Sequence, residues 1–349
     1  MGDEFRDFTL AAVQATPVFL DREGCIEKAC RLIEEAARRG ADLAVFGETW
    51  IPGYAGWAER RGAGGIGGLL RRYILNAVEV PSPATEALCT AARRAGIDVA
   101  IGIAERDAVT QGTIYCTLLF IGREGVILGK HRKLKPTFYE RMVWGEGDGS
   151  TLRVYERPYG RLGGLNCWEH QMVLPGYALI AQGVQIHAAA WPGATFTRQE
   201  VLSRAFAMQS AAYVVMAGGL LREHEMPEEV RAAGMKPLNG HSAIVGPDGE
   251  IVAGPLLDEE GILIANANLG RVMLQRMIAD HAGHYSRPDV FEFRVNTQAK
   301  RPARFEPATG LDEALRRVKA ALDDGTLRSA SELRAALADT APALLGEGE

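Results

Sequence analysis

The stretch 160–170, GRLGGLNCWEH, reads as a short buried strand, Leu162–Leu165, running into a turn that carries a thiol at Cys167. Gly163 and Gly164 leave room for neighbouring backbone beside it. Trp168-Glu169-His170 reads as the start of a helix, which would set Cys167 at the positive end of a helix dipole and lower its pKa. In that geometry the backbone N–H of Trp168 is available to a developing anion. A small buried core cysteine explains the same letters equally well, so the rest of the chain must decide.

Outward from this stretch, short apolar runs alternate with helical spacing across residues 8–270, the rhythm of an α/β protein. Leu10–Ala15 reads as a first strand, closed by Pro17. Ile26, Cys30, Ile33 and Ala37 recur as one helix face, stopped at Gly40. Leu43–Phe46 is the next strand, and Ser82-Pro83 opens a helix that Gly96 ends. Val99–Ile103 and Tyr115–Ile121 read as strands, with a turn at Arg123–Gly125 returning through Val126–Leu128. Val184–Ala189, Tyr213–Ala217 and Ala243–Val245 supply later strands, and Pro247-Asp248-Gly249 a turn. No linker interrupts this region, so residues 1–295 are expected to form one catalytic domain. Residues 296–349 read as a C-terminal extension. Leu311, Leu315, Val318 and Leu322 mark one helix there and Leu327–Leu337 a second, before a frayed end at Gly346–Glu349.

Two more strand ends carry reactive groups. Glu48 follows Leu43–Phe46 after a single glycine, where burial would raise a carboxylate's pKa toward neutrality. Lys133 follows the strand around Val126–Leu128, inside the basic cluster Lys130–Lys135, and alternation turns it away from Arg132. Open α/β sheets collect their sites beyond the carboxyl ends of strands. Taken singly, each residue also fits a solvated strand edge.

Composition narrows the classes. The 349 residues are 47% apolar and 24% charged with net charge −5, and no basic block suits nucleic acid or an anionic membrane. No apolar run reaches about 18 residues, as a spanning helix requires. The start, MGDEFRDFTLAAVQ, lacks a signal-peptide pattern, and Arg6 breaks the myristoylation pattern. Cys25, Cys30, Cys89, Cys116 and Cys167 form no CxxC pair, which points to a reducing cytoplasm rather than a disulfide framework or zinc knuckle. Gly62-x-Gly64-x-x-Gly67 matches a dinucleotide fingerprint in letters, yet it follows Trp57–Arg61 instead of a strand and reads as a loop near the pocket mouth. His281 and His284 beside Asp280 and Asp289 read as structural rather than metal-binding. No G-x-S-x-G supports a serine hydrolase. Neither metal nor organic cofactor is expected.

Three blocks, GET (47–49), HRKLKPTFYERMVWGEGDG (131–149) and GLNCWEH (164–170), resemble the signature blocks of the nitrilase superfamily of carbon–nitrogen hydrolases, and within it the nitrilase branch. IPGY (51–54), NAVEVPSP (76–83), HAAAWPG (187–193), GHSAIVGPDG (240–249) and GHYSRPDVF (283–291) extend the likeness over roughly residues 8–292. The resemblance implies a four-layer α-β-β-α sandwich. It maps Glu48 to the general base, Lys133 to the catalytic lysine, Cys167 to the nucleophile and Glu140 to a second glutamate that positions substrate and lysine. It implies hydrolysis of a small-molecule nitrile through a covalent thioimidate, by a homodimer or larger homo-oligomer paired through helical faces and the tail. An amidase, a carbamoylase or a cyanide-converting enzyme of the same superfamily is the nearest alternative. A non-catalytic assembly member is the alternative from another class. Two positions depart from the family pattern: Gly47 stands where proline is frequent, and Cys116 where asparagine is common.

Trp50, Tyr54, Trp57, Tyr139, His187 and Trp191 flank these blocks, and each reads as pocket wall or as core. Trp191 and the Trp57 region are the first candidates for specificity. His170 is a candidate for orienting groups near the thiol.

Overall fold

The computed structural model describes residues 5–59, 67–194, 196–301, 303, 310–327, 329 and 331–335. They fall into two compact units, Met1–Ala299 and Lys300–Glu349. The chain order in the first is β1 (Asp7–Gln14), α1 (Arg22–Arg38), β2 (Leu43–Phe46), α2 (Gly67–Leu75), α3 (Pro83–Ala95), β3 (Asp98–Arg106), β4 (Ile114–Ile121) and β5 (Ile127–Arg132). It continues through β6 (Tyr155–Arg157), β7 (Gly160–Asn166), α4 (Val173–Ala181), β8 (Ile186–Trp191), α5 (Phe196–Ser210), β9 (Tyr213–Gly218) and β10 (Leu220–Leu221). It ends with α6 (Glu228–Ala232), β11 (Leu238–Val245), β12 (Ile251–Leu257), β13 (Gly261–Asn268) and α7 (Leu269–Ile278). The second unit holds α8 (Gly310–Asp323) and a helical stretch at 331–335. Gly62, Gly64 and the frayed end at Gly346–Glu349 lie outside the described residues.

The strands form two mixed sheets, ordered β13-β1-β2-β3-β4-β5 and β10-β11-β9-β8-β7-β6, with β12 on β11. The first sheet packs its outer face on α1 and α3 through Ala29, Ile33, Leu88 and Ala92. The second packs on α4 and α5 through Ala178, Leu179, Phe206 and Ala207. Between the sheets lie Leu10, Val45, Phe120, Leu162, Ile186 and Val215. The expected α-β-β-α sandwich is the result. Strands apolar on both faces are those buried between layers, which is why their sequences run apolar without alternation.

Local sequence explains the ends. Asp21 accepts from the Gly24 N–H at the start of α1, and Gly40 turns left-handed (φ 84°) just beyond it. Ser82 and Thr85 cap α3 reciprocally, with Pro83 in the first turn and Gly96 at φ 67° after it. Strand β5 runs to Arg132, further than expected, so Lys133 stands immediately at its end. Strand β8 begins at Ile186 rather than Val184. One expectation fails: no α-helix starts at Trp168. A single 3-10 turn, Cys167–Gln171, is followed by an extended Met172 (φ −81°, ψ 114°) before α4 begins. Cys167 itself is left-handed (φ 48°). A side chain on the preceding Gly164 has no room, since a Cβ there would lie 2.6 Å from the Ala188 carbonyl oxygen.

Candidate active site

The ends of β2, β5 and β7 deliver Glu48, Lys133 and Cys167 to one buried cluster, and a 3-10 turn at Phe138–Met142 adds Glu140. Lys133 Nζ lies 2.7 Å from Glu48 Oε1 and 2.7 Å from Glu140 Oε2. Glu140 Oε2 also accepts from the Thr137 N–H at 2.6 Å, and Oε1 from the Tyr54 hydroxyl at 2.8 Å. A carboxylate oxygen of Glu48, one of Glu140 and the Cys167 sulfur all lie within 4.8 Å of one another. That set is close enough to ligate a cation, and the Lys133 ammonium is the cation the cluster holds. The structure therefore brings together the four residues the sequence suggested.

Electrostatics assign different states to these groups. Burial pushes Glu48 up to about 7, with Lys133 pulling against it. Its second oxygen, Oε2, is buried without a hydrogen-bond partner among the described residues, so one lone pair stays open for proton transfer. Burial works against the charge on Lys133, but Cys167, Glu48 and Glu140 around it hold it well above the usual lysine range. Burial and the facing Glu48 carboxylate push the Cys167 thiol well up, opposed by Lys133 and by the Trp168 backbone N–H directed at the sulfur. This reverses the lowered pKa expected from a helix dipole, because the sulfur is buried, two carboxylates face it and no helix begins at the cysteine. Burial and the two facing carboxylates thus favour the neutral thiol at rest, beside a carboxylate placed to accept its proton.

A staple that motif reading quoted without interpreting holds the cluster in register. Glu169 is fully buried and takes His131 Nε2 at 3.0 Å on both oxygens, the Leu134 N–H at 2.8 Å and the Asn166 N–H at 2.9 Å. Leu134 follows Lys133 and Asn166 precedes Cys167, so one carboxylate ties these two loops together. These donors keep its carboxyl below the usual range despite burial. Cys116 is the second missed neighbour. Its thiol lies 3.3 Å from Glu48 Oε1, inside the site.

The sulfur opens on a cavity of about 950 Å³. Tyr54, Phe138, Tyr139, Trp168 and Met235 form its apolar wall, with Glu59 and Lys236 also on the lining. Arg198 covers the Trp168 ring at 4.1 Å. Tyr54 and Tyr139 thus fit the pocket expectation, and their hydroxyls meet at 3.1 Å. Trp57, His187, Trp191 and Trp50 do not line the cavity. Trp57 is fully buried edge-on to Tyr73, and Trp50 donates to the Ala15 carbonyl. Trp191 is fully buried with its Nε1 on Ser203, and His187 packs on Phe206 beneath the turn. Large rings next to catalytic loops fill the layer under them, which sequence adjacency cannot separate from the cavity wall. Phe138, Met235 and the segment around Lys236 line it instead; no motif marks the last.

His281 and His284 also stand apart from this cluster. His284 Nε2 lies 3.5 Å from the Ile278 carbonyl, and Asp289 pairs with Arg287.

Comparison with known proteins agrees with this geometry. The sequence profile of the family described as carbon-nitrogen hydrolase matches residues 9–277. "Nitrilase 2" of an unknown prokaryotic organism is 51% identical over 300 residues, covering 86% of this chain and 95% of that protein. An "aliphatic nitrilase" of Rhodococcus rhodochrous is 39% identical over 314 residues, 84% of each chain. An "arylacetonitrilase" of Hypocrea virens is 38% identical over 324 residues, 87% of this chain and 97% of that one. Among solved structures, Saccharomyces cerevisiae Nit3 superposes with TM-score 0.65 at 20% identity, covering 80% of this chain and 97% of that one. The Caenorhabditis elegans NitFhit protein gives 0.66 at 20% identity, covering 85% and 69%. A profile match across most of the chain, relatives of such identity along nearly its whole catalytic unit and the shared sandwich lead to one conclusion: this chain belongs to the carbon-nitrogen hydrolase family, the nitrilase superfamily.

Proposed function

We propose that this enzyme hydrolyses nitriles to carboxylic acids and ammonia, with Cys167 as nucleophile. The observation that carries the reading is the buried contact of Glu48, Lys133, Glu140 and Cys167 at the floor of an apolar cavity. Glu48 takes the thiol proton as sulfur attacks the nitrile carbon, and the proton passes to nitrogen to give a thioimidate. Lys133 and the Trp168 N–H stabilise the charge that builds in each tetrahedral state. Water deprotonated by Glu48 adds to the thioimidate, ammonia leaves, and a thioester remains. A second water releases the acid and restores the thiol. Glu140, fixed by Tyr54, holds Lys133 in place.

The aromatic and methionine wall favours nitriles with a bulky apolar substituent over acetonitrile-sized ones. All five cysteines are free, which suits a reducing cytoplasm. No helix among the described residues is long and apolar enough to cross a membrane. Val173 and Leu174 on α4 with Val201 and Met208 on α5 are exposed, which supports pairing of copies through this helical face, with residues 296–349 as a further contact extension. Ammonia release from a panel of nitriles and their matched amides tests the activity. Nitrile turnover should dominate; amide turnover without nitrile turnover would make the enzyme an amidase. Light scattering should return a dimer or larger assembly, and a monomer would remove the pairing.

A further inference from the structure

The turn that carries the nucleophile is gripped from below by a histidine to which the mechanism assigns nothing. His170 Nδ1 lies 2.6 Å from the Cys167 carbonyl oxygen, and its Nε2 lies 2.9 Å from His187 Nε2. A carbonyl only accepts, so Nδ1 carries the proton. Burial lowers His170 to about 4 and keeps His187 neutral as well. A neutral ring protonated at Nδ1 accepts at Nε2, so His187 donates from Nε2 and its Nδ1 is bare. That nitrogen is indeed buried with no partner among the described residues. The tautomers are thereby fixed along the chain His187 to His170 to Cys167. The His170 ring is stacked on Trp191 at 4.9 Å and 22°, and His187 lies 4.1 Å from Phe206, so neither ring is free to turn. Trp191 in turn accepts the Glu48 N–H at 3.1 Å through its own carbonyl.

The consequence follows from peptide geometry. In a planar trans peptide the C=O and the next N–H point in opposite directions. A bond that fixes the Cys167 carbonyl therefore aims the Trp168 N–H the other way, toward the sulfur and the atom it attacks. We infer that His170 is a positioning residue: its Nδ1–H holds the Cys167 carbonyl and so orients the Trp168 amide at the reacting centre. The need is real, because Cys167 sits at φ 48° and only one 3-10 turn follows it. No helix is there to align that amide.

This inference rests on Cys167 as the nucleophile, and two isosteric variants isolate it. His170→Asn puts an amide N–H where Nδ1 stood, whereas His170→Gln puts one where Nε2 stood. Removing an oxyanion donor costs about a hundredfold or more in kcat, so a misaimed one should cost on the order of ten- to a hundredfold. The asparagine protein should keep kcat within about threefold of the parent, and the glutamine protein should lose that larger factor with KM little changed. Alkylation of Cys167 by iodoacetamide should also slow in the glutamine protein alone. Equal kcat in the two variants, or a loss confined to KM, overturns the role of His170. A second measurement needs no variant to fold: imidazole nitrogen shifts of histidine-labelled enzyme should show His170 neutral and protonated at Nδ1, and an Nε2–H tautomer overturns the assignment. A folded Cys167→Ala protein that still releases ammonia would instead remove the proposed function itself.

Discussion

Replacing Glu169 by glutamine should weaken the fold and the chemistry together. The carboxylate accepts from three groups: His131 Nε2, the Leu134 N–H and the Asn166 N–H. The two amides approach different oxygens, Leu134 on Oε1 and Asn166 on Oε2. A glutamine offers one oxygen and one NH2, so whichever way it lies, one buried backbone N–H faces another donor. An unsatisfied buried donor costs about 1–3 kcal/mol, and the remaining bonds lose their charge assistance, so about 3 kcal/mol is expected in all. For a chain of this size that corresponds to a melting temperature lower by roughly 4 °C. The orphaned amide adjoins either Lys133 or Cys167, and a shift of well under 1 Å there should reduce kcat by on the order of ten- to a hundredfold. The pH dependence has a definite sign. Because the folded carboxyl titrates below the usual range, its contribution is present above about pH 4.3 and is lost as the pH falls through the lower folded value. The gap in stability between parent and variant should thus be constant from about pH 5 upward and close in acid. Thermal unfolding across pH, paired with kcat, is the assay. A melting temperature within 1 °C of the parent with unchanged kcat, or a gap that widens in acid, would refute the staple.

Three further outcomes follow from the same contacts. Glu48 titrates at about 7, so kcat/KM should climb through that pH as the base deprotonates, and Glu48→Gln should abolish the climb with the activity. Its unfolded counterpart releases its proton at a lower pH, so this group's contribution to stability falls as pH rises from about 4.3 to 7 and is level above; a contribution rising over that window would contradict the assignment. Tyr54→Phe removes the hydroxyl from Glu140 Oε1, and kcat/KM should drop about tenfold in an intact fold, since hydrogen bonds to charged groups contribute about 1.5–3 kcal/mol. Trp191→Ala empties a fully buried site, so denaturant titration should show a loss of about 3–5 kcal/mol while the relative rates on small and bulky nitriles hold. A change in that ratio at full stability would put Trp191 back in the pocket wall.

Much of this was legible because the fold's own logic is local. Apolar runs too short for helices, each bounded by glycine, proline or a capping serine, are strands buried between layers, and chemistry-bearing residues at three of their ends converge in the sheet geometry. Glu140 could be placed only through the resemblance, since it lies on an isolated 3-10 turn with no strand to announce it. The lowered thiol pKa failed because the letters Trp168-Glu169-His170 suit a helix start and a single turn equally. What decides between them is the Glu169 carboxylate, drawn back to its own backbone and to β5 across 35 to 38 positions of sequence. The rings of Trp57, His187 and Trp191 went astray for a similar reason. Burial against Tyr73, Phe206 and Ser203 is a long-range property, and the cavity wall that includes Lys236 has a composition no different from an ordinary loop.

The most direct test is the mass of the enzyme caught during turnover. Acid quenching within the first turnovers on a bulky nitrile, followed by peptide mapping, should locate the bound substrate carbon on Cys167 alone. The same experiment on a folded Cys167→Ala protein should give neither adduct nor ammonia. An adduct on Cys116, or ammonia released by the alanine protein, would contradict the account.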